Sequence, residues 1–253
     1  MESYKLIVSY VGTQYQGWQA QPNGKTVSQT MQKSFEKTFQ TPCTLIGASR
    51  TDAGVHATHQ IAVCNTSVAL QADQLHHAWN NALPLDIMIR QFTKMNTPFN
   101  PFHDVLHKTY CYTVYTKRPM PQDAPFGWYY QYKIDIETLK NALDLVIGTH
   151  NFLAFSTSEP DVNPIRTVDA ITTTVSEEKI VISITGKSFI RHMIRRIIGA
   201  AVIVASHRAR KIHHIMALLE SPSGFYCFET APAHGLSLEH IEYEKIAHQR
   251  GVI

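Results

Sequence analysis

Residues 47–57 read Gly-Ala-Ser-Arg-Thr-Asp-Ala-Gly-Val-His-Ala and form the most informative stretch of this 253-residue chain. They lie between two segments with the side-chain pattern of strands, residues 43–48 and 59–66. Small residues on both sides of Asp52 let another molecule approach the backbone closely. Arg50 stands in the same loop, so we expect a partly desolvated ion pair that keeps Asp52 ionised. A turn that merely holds a salt bridge is the ordinary alternative.

The segments on either side of this loop predict a mixture of strands and helices. Residues 4–11 predict a strand. A capping box at Thr26 predicts the start of a helix, in which apolar residues recur every four positions from Val27 to Phe39 and form its buried face. The other predicted elements are strands at 43–48, 59–66, 86–92, 108–116, 127–134, 167–175, 179–185 and 235–243, and helices at 71–83 and 137–147. This order predicts an α+β protein with two sheet-and-helix lobes, residues 1–104 and 105–253.

Basic residues are concentrated in one block, although the net charge is only +3. Residues 187–214 contain seven Lys or Arg, four His and no Asp or Glu. Such a block indicates an anionic partner, and a solvated helix face is the alternative. Within it an apolar stripe of period 3.6 predicts a helix over residues 189–201. Arg191 and Arg195 stand one turn apart on the opposite side, so this helix is expected to present a basic face.

Composition excludes several classes of protein. With 44% apolar and 17% charged residues, the chain is neither disordered nor collagen-like. Its longest apolar run, residues 197–205, is far shorter than the roughly 20 residues of a membrane span, and no secretory leader is evident, so we expect a cytoplasmic protein. Cys43, Cys64, Cys111 and Cys227 have no Cys-x-x-Cys spacing. We therefore expect neither a metal site nor a cofactor.

At residues 47–57 the sequence resembles the bacterial tRNA pseudouridine synthase A family, whose hallmark reads Gly-x-Gly-Arg-Thr-Asp-Ala-Gly-Val-His-Ala. Ser49 replaces the second of its glycines. Five further blocks are similar to the family in the same order along the chain: residues 10–22, 108–112, 148–155, 189–199 and 235–236. Two places depart from the pattern. Val11 stands where the family usually has Asp, and residues 99–102 lack the basic residue of a Phe-His-x-Arg pattern.

The resemblance implies a pseudouridine synthase-like fold, in which the two lobes share a central antiparallel sheet with the active cleft between them. It implies an isomerase, an intramolecular transferase that converts uridine to pseudouridine at positions 38, 39 and 40 in the anticodon stem-loop of tRNA. Neither a metal nor a cofactor is implied. The family works as a homodimer in which one subunit docks the tRNA that the other modifies.

The resemblance also implies roles for individual residues. Asp52 is the catalytic group, which either attacks C1′ of the ribose or takes the 2′ proton. Tyr110 fits the stacking platform for a flipped-out uridine, and its hydroxyl fits the later loss of the C5 proton. Arg195 fits a partner of Asp52 that fills the gap left by the base, and Leu236 packs on the other side of the base. The other predicted tRNA contacts are Arg50, Trp18, Gln19, Lys25, Lys108, Arg166, Arg191 and Arg196.

Each of these residues also has an ordinary structural interpretation: Tyr110 as a sheet tyrosine, Arg195 as a phosphate clamp, Leu236 and Trp18 as core residues. Two other classes of function compete with the isomerase. A non-catalytic RNA-binding or RNA-folding module has no use for a carboxylate that faces phosphates, so Asp52 argues against it. A metal-dependent nuclease needs several clustered carboxylates, and the motif offers one.

Overall fold

The computed structural model describes residues 1–103, 105–157, 162–206, 211–221, 226 and 228–244. The strands are β1 (Glu2–Tyr10), β2 (Cys43–Gly47), β3 (His56–Thr66), β4 (Ile87–Lys94), β5 (Val105–Tyr115), β6 (Trp128–Tyr129), β7 (Gly148–Asn151), β8 (Ile165–Val168), β9 (Ala170–Val175), β10 (Lys179–Gly186) and β11 (Leu236–Tyr243). The helices are α1 (Val27–Phe39), α2 (Ala72–Ala82), α3 (Ile136–Asp144), α4 (Met193–Ala205) and α5 (His213–Glu220).

One nine-stranded sheet organises the molecule. Its order is β4-β1-β3-β11-β5-β10-β9, with β2 beside β3 and β6 beside β5. Two pairs of neighbours run parallel and the others are antiparallel: β5 with β6, and β3 with β11, where Ser237 lies opposite His56 and Leu238 opposite Ala57. The sheet joins strands from both halves of the chain, so the predicted α+β fold with a shared central sheet is confirmed. Asp104, the predicted boundary of the lobes, lies outside the described residues, and the division into lobes stays a prediction.

Side-chain pattern and capping explain why α1 and α2 form where they do. The Thr26 hydroxyl accepts the backbone N–H of Gln29 at 3.4 Å and starts α1. The apolar face of α1 is buried, and Phe35 packs edge-on against Trp79 of α2 at 4.8 Å between ring centroids. Trp79 also contacts Phe92 of β4 at 6.2 Å. These aromatic contacts fix the first pair of helices on the sheet.

The basic segment differs from its prediction. The helix begins at Met193 rather than at residue 189, so Arg191 and His192 precede it. The reason is the backbone of His192, whose φ of 63° and ψ of 0° lie in the left-handed region, where a right-handed helix cannot continue. The predicted basic helix face that includes Arg191 is therefore wrong. Arg208 and Arg210 of the same block, like Cys227, lie outside the described residues.

Three other predicted boundaries are corrected. The aromatic strand predicted at 127–134 has only two paired residues, Trp128 and Tyr129, because the chain then turns toward α3, where the Asp135 N–H reaches Ala205 O at 2.9 Å. The helix predicted to end at residue 147 ends at Asp144. The strand predicted at 167–175 is interrupted at Asp169, whose N–H binds Thr185 O at 2.8 Å. This interruption lets β8 leave the main sheet and pair with β7.

No helix within the described ranges is both long and apolar enough to cross a membrane. Cys43, Cys64 and Cys111 are free thiols.

Candidate active site

Asp52 lies in the loop that connects β2 to β3, close to the point where β11 joins the sheet. Its side chain is 23% exposed, and its Oδ2 atom is 3.8 Å from Arg195 Nη1 and 3.7 Å from His192 Nε2. Arg50 is exposed, and in the part of the chain that the structure describes it makes no ion pair with Asp52. The expected pair of Arg50 with Asp52 is therefore wrong, because the partners of Asp52 come from the segment that starts α4.

The N-terminal loop supports the backbone of the loop that carries Asp52. The backbone N–H of Trp18 donates to the backbone carbonyl of Thr51 at 3.2 Å. The Tyr10 hydroxyl shares a hydrogen bond of 2.7 Å with the Thr51 hydroxyl. Gly12 packs directly on the carbonyl of Val55, and a Cβ at this position would collide with it. These contacts fix the backbone on both sides of Asp52.

His56 ties the end of the loop to the second half of the chain. Its Nδ1 accepts the Gly12 N–H at 3.0 Å, and its Nε2 lies 3.0 Å from Pro125 O and 3.1 Å from His234 O. Because Nδ1 accepts a hydrogen bond, Nε2 carries the proton and donates to the two carbonyl groups. Burial lowers the pKa of His56, which favours this neutral form.

Tyr110 on β5 contacts the loop that carries Asp52. Its hydroxyl lies 2.6 Å from the Ser49 hydroxyl, and its ring meets Phe189 edge-on at 5.6 Å between centroids. The Tyr110 side chain is only 7% exposed, and burial raises the pKa of its hydroxyl to about 12. Leu236 of β11 is 5% exposed and lies in register with Tyr112, two positions along β5 from Tyr110.

Arg195 is held in place by the segment before β11. Its Nε donates to Ala231 O at 2.8 Å, and Ala231 N–H donates to Arg195 O at 3.1 Å. The side chain is 15% exposed, and its Nη1 is left facing Asp52. The structure thus brings together Asp52 and Arg195, two of the residues that the sequence singled out from distant segments.

His192 is a member of this site that the sequence interpretation missed. Its Nδ1 lies 2.8 Å from the Thr157 hydroxyl, while its Nε2 faces Asp52. Burial lowers the pKa of His192, although the charge of Asp52 acts in the opposite direction. The sequence offered one indication of this role: His192 stands three residues before Arg195, in a block that resembles the family.

Three of the residues predicted to contact tRNA make contacts inside the protein, and their contact with tRNA stays a prediction. The Trp18 indole is 1% exposed and lies against Gly47. The Lys108 ammonium donates to Ala48 O at 2.7 Å, and burial lowers its pKa to about 8. Arg196 donates from Nη1 to Ala154 O and Ser156 O, at 3.1 and 2.8 Å. These side chains support the fold, because their polar groups are already bound by backbone or covered.

The remaining predicted contacts have groups near the surface. Arg50, Gln19, Lys25 and Arg191 are exposed, and the Lys25 ammonium lies 4.6 Å from the centre of the Tyr15 ring. Arg166 is half-buried on β8 and donates from Nη1 to Asn163 O at 2.8 Å and to Ile165 O at 2.6 Å. Contact of these five residues with tRNA stays a prediction.

The arrangement is suited to reaction at carbon or to proton transfer by a single carboxylate. Asp52 is partly exposed and faces a guanidinium and an imidazole, with a tyrosine hydroxyl at the other end of the same loop. Such a carboxylate can attack an electrophilic carbon or accept a proton. No group of three or more His, Cys, Asp or Glu side chains that could hold a metal ion occurs among the described residues.

Known proteins of one family are similar to this chain. A family model described as tRNA pseudouridine synthase matches residues 6–98 and 142–244. The tRNA pseudouridine synthase A of Thermoanaerobacter pseudethanolicus is 35% identical over 245 residues, which cover 96% of this chain and 100% of that protein. That of Thermosipho melanesiensis is 35% identical over 240 residues, 94% of this chain and 98% of that protein. A chain of a solved Cbf5-Nop10-Gar1 complex aligns over 94% of this chain and 59% of its own length, with 10% identity and a TM-score of 0.34, too low to support a statement about the fold.

Proposed function

The chain belongs to the tRNA pseudouridine synthase family and isomerises uridine to pseudouridine in tRNA, and on that premise we propose that Asp52 is its catalytic residue. The observation that carries this assignment is the position of the Asp52 carboxylate, partly exposed and 3.8 Å from the Arg195 guanidinium. The guanidinium places a positive charge beside the carboxylate, which is the group that the reaction uses.

The reaction breaks the bond between N1 and C1′, turns the uracil and joins its C5 to C1′. The proton on C5 is lost and N1 gains one, so atoms and electrons balance without a redox partner. Asp52 acts at the ribose, either by attack on C1′ or by removal of the 2′ proton. Both routes use the same ionised carboxylate, and both let uracil leave as a stabilised anion.

Tyr110 is proposed to hold the reacting base. A uridine inside a helical stack is out of reach, so the nucleotide must leave the stack and rest on a ring near Asp52. The Tyr110 hydroxyl is linked to the catalytic loop through Ser49 at 2.6 Å, which couples the position of this ring to that of the loop. Leu236, two positions away in register on β11, is proposed to contact the base from the other side.

The substrate is proposed to be the anticodon arm, with uridines at positions 38, 39 and 40 as targets, and the protein to act in the cytoplasm as a homodimer. Support comes from the sequence resemblance, and the exposed cations Arg50, Lys25 and Arg191 supply groups that can bind phosphates. Mapping pseudouridines in total RNA with and without the protein tests the target positions. Light scattering of the purified protein tests the homodimer.

The Asp52→Asn variant tests the catalytic assignment. It keeps the shape of the side chain and removes the charge, so we expect tritium release from 5-tritiated tRNA to fall by more than about 1,000-fold, with tRNA binding near normal. Asp73→Asn, in the exposed first turn of α2, is the matched control and should keep full activity. Substantial turnover by Asp52→Asn would exclude Asp52 as the catalytic group.

A further inference from the structure

His192 adopts a backbone conformation that most residues avoid. Its φ is 63°. Among the described residues other than glycine, only His192 and Gln40 have a positive φ. Two hydrogen bonds to the preceding residue stabilise this turn: the Ser156 hydroxyl and the Thr157 N–H both donate to Arg191 O, at 3.1 and 3.2 Å. Strained backbone of this kind persists where the surrounding structure holds it, and it is found often at active sites.

The ring of His192 is oriented from both sides. The Thr157 hydroxyl lies 2.8 Å from Nδ1, and Asp52 Oδ2 lies 3.7 Å from Nε2. An ionised Asp52 can only accept a hydrogen bond. The Thr157 hydroxyl must then donate to Nδ1, which leaves the proton on Nε2, where it faces the carboxylate.

Both partners of Asp52 come closest to the same oxygen. His192 Nε2 and Arg195 Nη1 approach Oδ2, at 3.7 and 3.8 Å. A carboxylate held through one oxygen presents the other in a defined direction, which is what a group needs in order to meet one atom of a substrate. The distance of 3.7 Å is longer than a hydrogen bond, and catalytic contacts are often long in the absence of substrate.

We propose that His192 is a positioning residue for the isomerisation: oriented by Thr157, it holds Oδ2 of Asp52 together with Arg195, so that Oδ1 faces the ribose of the substrate uridine. This inference rests on the proposed role of Asp52. It gives His192 a task distinct from that of the exposed cations that meet tRNA phosphates.

The charges around His192 favour a neutral hydrogen-bond donor over a further cation. Asp52 faces it on one side, and Arg191, Arg195 and Arg196 surround it with positive charge. Burial and these three guanidinium groups lower the pKa of His192, while Asp52 raises it. A neutral imidazole contributes little to phosphate binding but keeps its directed N–H.

The test compares single-turnover rates at saturating enzyme with tRNA dissociation constants. His192→Gly accepts the left-handed backbone and removes the ring, and we expect its rate to fall about 10- to 100-fold with nearly unchanged tRNA affinity. His192→Gln keeps an N–H at a similar reach and should retain most of the rate. Thr157→Val removes the orienting hydroxyl at constant shape and should be slowed. Added imidazole should partly restore His192→Gly.

Gln40→Gly is the matched control, because it relieves the same kind of backbone strain at the end of α1 and should leave the rate unchanged. A folded His192→Gly that turns over at the wild-type rate would overturn the proposal, as would a defect that disappears at saturation. Should His192→Gly not fold, an unaffected Thr157→Val overturns it instead. An inactive Asp52→Asn beside an active His192→Gly refutes only the role of His192, whereas an active Asp52→Asn refutes the proposed function itself.

Discussion

The hydroxyl groups of Ser49 and Tyr110 lie 2.6 Å apart, one in the loop between β2 and β3 and the other on β5. Both side chains are 7% exposed. Ser49 stands where the resembled family has glycine, so this chain has a direct side-chain link between the proposed stacking ring and the loop that carries Asp52. Substitution of Ser49 therefore tests the position of Tyr110 while Asp52 and Tyr110 themselves stay unchanged.

We expect Ser49→Ala to lower the free energy of unfolding by about 1–3 kcal/mol, because the buried Tyr110 hydroxyl loses its partner. Tyr110→Phe and the double variant complete a cycle that isolates the energy of this one contact. Urea unfolding measures stability, and single-turnover kinetics measure the rate. An additive cycle would show that the two hydroxyl groups do not interact.

Arg195 and Arg191 should respond differently to substitution, although they are only four residues apart. Arg195 faces Asp52 and is 15% exposed, so Arg195→Ala should lower the single-turnover rate by about 100-fold even at saturating enzyme. Arg191 is exposed, so Arg191→Ala should mainly weaken tRNA binding. The affinity should also fall less steeply with salt, so that the magnitude of the slope of log affinity against log salt concentration decreases by about 1.

Lys140→Ala, on the exposed side of α3, is the control for the salt dependence and should leave the slope unchanged. If Arg195→Ala reaches the wild-type single-turnover rate at saturating enzyme, Arg195 contributes to tRNA binding and not to the reaction.

His56 should make stability depend on pH. Burial lowers its pKa below the value of about 6.5 that it has in the unfolded chain, so at acidic pH the unfolded state binds more protons than the folded state. The stability from neutral His56 is fully present above about pH 6.5 and is lost as the pH falls toward the folded-state pKa. A protonated Nδ1 would also face the Gly12 N–H, which has no acceptor to offer.

The measurement is the urea midpoint at pH 7.5 and at pH 5.0 for the wild type and His56→Gln. We expect the wild type to lose more stability between these two values than the variant. His59, His192 and His234, whose pKa values are also lowered by burial, are present in both proteins and cancel in the difference. Equal losses in the two proteins would show that His56 does not titrate in this range.

Elements with a local signal were predicted well from the sequence. Helix α1 lies over Val27–Phe39, because its cap at Thr26 and its repeating apolar residues are both encoded in neighbouring positions. The same holds for β10, which was predicted at residues 179–185 and lies over Lys179–Gly186. The start of α4 was mispredicted, since the apolar period continues through Phe189 and Ile190 while the backbone of His192 interrupts the helix. Residue types alone do not encode that interruption.

Three members of the candidate site, Asp52, Tyr110 and Arg195, could be named from short motifs, and the resemblance also paired Arg195 with Asp52. His192 was not predicted, and the residues of the loop alone assigned the neighbouring Arg50 to Asp52. The structure assigns Arg195 and His192 to it, from more than a hundred positions further along the chain. The internal hydrogen bonds of Lys108 and Arg196 were missed for the same reason, because such contacts depend on which segments the fold brings together.

The central position of β11 affects how the sheet can assemble during synthesis of the chain. It is the last strand in the described chain, yet it occupies the centre of the sheet, between β3 and β5. Until residues 236–243 have left the ribosome, β3 and β5 each keep an open edge that can pair with another chain. Insertion of β11 closes both edges and brings His234 O onto His56. A chain that stops short of β11 therefore leaves two exposed edges and a loop around Asp52 that lacks the contact between His56 and His234, so we expect activity only once the sheet is complete.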